Sequence, residues 1–177
     1  MRNKDIKEKI MEFFFTNPTS KLRVRQLERT LELSLPSVIS YLKKLEQEGI
    51  IKKEKISGIT LFSADRSSKK FLIEKGFSNI RILFKSELVE HLIDEYHNPT
   101  IVLFGSYSKG EDIETSDIDL YIETPSKKEI NLDQFEKKVN RKIQIFKYDN
   151  IKQVGNIHLA NNIINGTTLN GFLEVFK

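Results

Sequence analysis

Asp117 and Asp119 stand two apart in the run Asp117-Ile118-Asp119-Leu120, so on an extended strand both carboxylates leave the same face. Two such groups repel each other strongly unless cations lie between them, and hard oxygen donors suit Mg²⁺. Upstream, the apolar run Ile101 to Phe104 ends at Gly105-Ser106. A turn of this kind leaves backbone N–H groups exposed where a strand passes into a short helix, a place that holds phosphate well. The two features form a phosphate end and a metal end of one site.

The stretch 101–123 resembles the nucleotidyltransferase fold related to DNA polymerase β, and specifically the minimal nucleotidyltransferases. Phe104, Gly105-Ser106, ten intervening residues and Asp117-Ile118-Asp119-Leu120 match that pattern, and Gly110 and Ser116 fall where the family places a glycine and a serine. The resemblance covers residues 86–177. It implies that Gly105 and Ser106, with Ser116, bind a nucleoside triphosphate (NTP), and that Asp117 and Asp119 are the catalytic and metal residues of a site of two-metal type holding Mg²⁺. A nucleoside monophosphate would pass to an acceptor and pyrophosphate would leave.

The same family adds a third carboxylate on the next strand, and here the aligned position is Gln144. A glutamine can neither act as a base nor add negative charge. Either the site binds nucleotide with little or no turnover, or another acid such as Glu123 or Asp149 substitutes. Glu123 shares the strand face of the aspartates but lies roughly 13 Å from Asp119 at strand rise, which argues against rescue. Tyr107, beside the turn, is read either as stacking near a nucleotide or as packing. His91, His97 and His158 show no ligand spacing and read as surface or boundary residues.

Positioning these groups takes an α+β unit. An amphipathic helix from Ser86 stops at Asn98-Pro99; strands follow at Ile101 to Phe104, Ile118 to Ile122 and Lys142 to Phe146, with a helix near Leu132 to Val139. A helix over Ile157 to Ile164 and a strand over Leu169 to Phe176 complete a mixed sheet flanked by helices.

The first part of the chain reads as three short helices and a hairpin. Ile6, Ile10 and Phe13 or Phe14 recur at helical spacing until Thr16 to Ser20; Val24, Leu27 and Leu31 mark a second helix. The third runs from Pro36 to Glu48, with Ser34 as its capping hydroxyl, Leu35, Val38, Ile39, Leu42 and Leu45 as a buried stripe, and Gly49 past its end. A hairpin follows across Ser57-Gly58. This order resembles a winged helix-turn-helix. The resemblance implies that Ser37, Ser40, Tyr41 and Lys44 face the major groove of double-stranded DNA, while Lys52, Lys53 and Lys55 of the wing meet phosphates, with Arg23 and Arg25 near the backbone. The alternative is a charged face used only for protein contacts.

The expected organisation is thus a winged helix-turn-helix at 1–65, a polar connector at 66–85 and a minimal nucleotidyltransferase domain at 86–177. Charge follows the same division. Residues 1–70 carry 16 Lys and Arg against 9 Asp and Glu, net +7, whereas 71–177 carry 13 against 16, net −3. A sign change along a chain points to a nucleic-acid module joined to something else. With no cysteine, disulfide scaffolds and cysteine zinc sites are excluded. No apolar run approaches the roughly 20 residues that span a bilayer, and the charged start lacks a signal-peptide pattern, so no membrane partner is expected and a cytoplasmic location is. The resemblances imply a DNA-binding regulator or antitoxin, with a toxin-type ribonuclease as a protein partner and a homodimer as a common form.

Overall fold

Helix α1, Asn3–Thr16, is amphipathic: Ile10 and Phe14 are fully buried, and Asn17 closes its end through backbone and side-chain hydrogen bonds to the Phe13 carbonyl. The computed structural model describes residues 3–176, with side chains from Ile6 onward. The chain folds as two units that divide between Ser78 and Asn79.

In the first unit α1 is followed by α2, Val24–Leu31, α3, Leu35–Gln47, and the antiparallel hairpin of β1, Ile51–Ile56, and β2, Ile59–Ala64. Leu27, Val38, Leu42, Leu45, Ile50 and Ile51 join Ile10 and Phe14 in one core. Burying each such side chain contributes roughly 1.5–3 kcal/mol, which is what holds short helices that would be marginal alone. Gly49 adopts φ +73°, and the amide of Ile50 reaches back to the Leu45 carbonyl, ending α3 as its glycine leads one to expect. Ser57 and Gly58 both have positive φ, the hairpin geometry of a primed turn. A bridge between Leu22 and Phe62 ties the segment before α2 to the hairpin.

Several expectations shift here. Ile39 is not in the buried stripe but 52% exposed, and Leu35 is only partly buried. Ser34 occupies the N-cap position in extended conformation without capping a backbone amide; its hydroxyl donates to Ser37 Oγ at 2.7 Å. Most of the segment read as a connector is helix α4, Lys69–Lys85.

The second unit holds α5, Leu88–Glu95, and a four-stranded mixed sheet in the order β5-β4-β3-β6. Strand β3, Thr100–Phe104, runs antiparallel to β4, Ile118–Glu123, and to β6, Thr167–Asn170; β4 is parallel to β5, Ile143–Tyr148. The last strand is therefore shorter and earlier than the Leu169 to Phe176 read from sequence. Alternation gives the sheet two apolar faces. Ile101, Leu103, Ile118, Leu120 and Ile122 pack on Leu88, Val89, Leu92 and, from α7, Asp133–Val139, on Phe135 and Val139. Val102, Phe104 and Tyr121 pack on Ile151, in a short 3-10 turn, and on Ile163 of α8, Ile157–Ile164. This second face also carries Asp119 and Gln144.

Candidate active site

The chain leaves β3 at Phe104 and enters α6, the five-residue helix Gly105–Lys109. Gly105 has φ +71°, a region that costs a side-chain-bearing residue about 1–2 kcal/mol, and a Cβ placed on it would fall under 3.0 Å from Asp119 Oδ2. Only glycine meets both demands. The turn and the second aspartate are thus packed directly against each other, because Phe104 pairs with Asp119 across β3 and β4.

Two hydrogen-bonded clamps set the loop between α6 and β4. Asn79 Nδ2, buried at the start of the second unit, donates to the Tyr107 carbonyl and to Asp112 Oδ1, both at 2.8 Å. Ser116 Oγ accepts from the Ile113 amide at 3.0 Å while the Ser116 amide donates to the Ile113 carbonyl. The serine read as a nucleotide-binding residue therefore has a structural task, closing the turn that delivers Asp117. Tyr107 is buried in the core, and burial pushes its phenol well above the ordinary range, so packing is its role. Asn79 and Asp112 escaped sequence reading because their contact spans 33 residues and leaves no local pattern.

Asp117 is exposed at the mouth of β4, and Asp119, two residues on, is half-buried. Burial raises the Asp119 carboxyl above the usual carboxylate range, and the negative charge of Asp117 raises it further. A pair in this state lowers its energy by sharing a cation. In register with Asp119 on β5 is Gln144, exposed and on the same face. The position expected of a third acid is occupied by an amide.

Neither substitute acid is at hand. Glu123 Oε2, at the far end of β4, accepts from the Tyr121 hydroxyl at 2.8 Å and the Ile151 amide at 3.1 Å. Asp149 lies beyond β5 and accepts from Gln153 Nε2 at 3.2 Å. Among the described residues no group of three or more Asp, Glu, His or Cys is placed to hold a metal. Asp117 and Asp119 alone supply two hard oxygen donors, which fits a divalent cation completed by water and by the oxygens of a bound phosphate.

Asp117 also lines a cleft of about 470 Å³, to which Asp133, Glu136 and Lys137 come from α7 and Arg141 and Lys142 from the segment between α7 and β5. Glu136 fixes that segment: it accepts from Lys142 Nζ at 2.6 Å and from the Ile143 amide at 3.0 Å, and the lysine holds its carboxyl below the usual range.

In the first unit, Ser40 and Lys44 are exposed on α3, as their sequence reading requires of groove contacts. Ser37 is engaged with Ser34, and Tyr41 leans on the core with Lys44 Nζ 5.1 Å from its ring centre. Lys43 and Gln47 are exposed beside them. The hairpin lysines divide by strand alternation. Lys53 lies toward α3 and pairs with Glu46 at 3.2 Å, whereas Lys52 joins Glu54 and Lys21 on the other side; Lys55 is exposed.

Residues 85–163 match the family model described as nucleotidyltransferase domain, which takes in α5, the glycine–serine turn, both aspartates and Gln144. No curated protein and no solved structure matches the chain.

Proposed function

We propose that this protein is a DNA-binding regulator whose second unit binds a nucleoside triphosphate with a divalent cation at Asp117 and Asp119 and transfers its nucleotide slowly or not at all. The observation that carries this reading is the register of β4 and β5, which sets Gln144 against Asp119. Support for the nucleotide comes from the family match over 85–163 and from the glycine–serine turn packed on the second aspartate.

Within this reading each residue has a defined task. Gly105 lets the backbone of the turn approach Asp119, and the amides of Gly105 and Ser106 receive phosphate oxygens. Asp117 and Asp119 would hold the cation, Mg²⁺ by the chemistry of the oxygen donors; when bound, it neutralises charge on the phosphate. Gln144 can donate or accept a hydrogen bond but takes no proton from an acceptor hydroxyl, so the general base is missing. The second reading, a transferase running without a third carboxylate, is favoured by the cleft that opens beside Asp117, with room for an acceptor.

DNA recognition is proposed for the first unit, read as a winged helix-turn-helix, because its helix-helix-helix-hairpin order and net +7 over residues 1–70 suit a phosphate backbone. Titration calorimetry with each NTP, with and without Mg²⁺, tests the nucleotide half. Binding that requires Mg²⁺ and is lost in Asp117→Asn is expected; Mg²⁺-independent binding that survives Asp117→Asn would refute it.

A further inference from the structure

We infer that Ile39 is a base-reading residue, packing on the C5-methyl group of a thymine in the major groove of the DNA this protein binds. The inference rests on the DNA-binding reading of the first unit. Its starting observation is a departure from amphipathicity. Ile39 is half-exposed on α3, although Val38, the next residue round, is fully buried, and a large aliphatic side chain left in water forfeits the stabilisation of burial.

Its surroundings identify what covers it. The residues one and two turns on, Lys43 and Gln47, line the same side of the helix, and Ser40 and Lys44 form the adjoining row. Ile39 lines, with Val24 and Phe62, a cleft of about 530 Å³ between the helices and the hairpin, rimmed by Lys43, Gln47 and Lys53. The acid on that rim, Glu46, is paired with Lys53. The apolar lining that Ile39 shares with Val24 and Phe62 is far smaller than the about 800 Å² on each side that a stable protein interface needs, and a second copy would bring the exposed lysines of one against those of the other. Duplex DNA meets both conditions: its phosphates complement the lysines, and the thymine methyl is the apolar feature that its major groove offers to an aliphatic side chain.

Thymine replaced by deoxyuracil loses only that methyl. Duplexes with a randomised core are enriched on the full-length protein, and each thymine of the winning sequence is then replaced singly. At one thymine or more, wild-type affinity should fall about fourfold, the worth of one buried methyl group. Ile39→Ala, exposed and so expected to keep the melting temperature, should bind the thymine and uracil duplexes alike. Wild-type indifference to every replacement, or unchanged sensitivity in Ile39→Ala, refutes the thymine contact while leaving DNA binding intact. Failure to enrich any duplex overturns both and leaves the face to a protein partner.

Discussion

Gln144 and Asp119 stand in register on neighbouring parallel strands, an exposed amide abreast of a half-buried carboxylate whose proton affinity is raised. In the function proposed above, that pairing separates holding a nucleotide from transferring it, since the aspartates would supply ligands for a cation and a glutamine supplies no base.

The raised Asp119 carboxyl gives a pH signature. Its folded pKa lies above the unfolded one, so the ionised form carries a stability penalty that is complete above the folded value and relieved as pH falls through it toward the ordinary 3.8. Without a cation, Asp119→Asn should therefore melt higher than wild type at neutral pH and lose that advantage in acid. A wild-type melting curve that matches Asp119→Asn across this range would contradict the penalty.

Cation binding runs the other way, because it needs Asp119 ionised. Affinity for Mg²⁺ with NTP should fall as pH drops through the raised value, and Asp117→Asn, by removing the like charge, should move the Asp119 titration downward. Carboxyl chemical shifts followed by NMR across the pH range read both.

Gly105→Ala meets a positive φ and the Asp119 carboxylate at once. A loss of about 1–2 kcal/mol is expected from the backbone alone, with nucleotide binding abolished because the turn must withdraw from the aspartate. Thermal unfolding and calorimetry measure the two effects separately.

Asn79→Ala leaves the buried Asp112 carboxylate and the Tyr107 carbonyl without this donor. Destabilisation of about 1–3 kcal/mol is expected, with loosening of the loop that carries Ser116 and Asp117. Hydrogen exchange at the amides of 111–117 reports the loosening.

On the first unit, Lys43→Ala should lower the slope of log affinity against log salt by about 0.9 for DNA, while Lys52→Ala, on the other side of the hairpin, should leave it unchanged. A slope unchanged in Lys43→Ala and lowered in Lys52→Ala would mean that the hairpin, not α3, faces the phosphates.

The inner strands were legible for a physical reason: period-two alternation fixes which residues share a face, so Asp117 and Asp119 fall on one side of β4. Gln144 was picked out only by the family resemblance, and its register with Asp119 is a property of the folded sheet. Helix α4 was not legible, because its apolar residues follow no single stripe: Phe71 serves the first core, Leu83 the second, and Ile73 and Phe77 are exposed. Val38 and Ile39 are adjacent on the edge of a helical stripe, and only packing decides which is buried. The Asn79–Asp112 contact, linking residues far apart in the chain, lies beyond any local pattern.

Label transfer from α-labelled NTPs with Mg²⁺, in cell extract as the source of acceptor, compares wild type, Asp117→Asn and Gln144→Asp most directly. Little or no transfer by wild type is predicted, with a gain of about a hundredfold or more when Gln144→Asp supplies the base, and none in Asp117→Asn. Brisk wild-type transfer that Asp117→Asn abolishes and Gln144→Asp fails to increase would contradict the account.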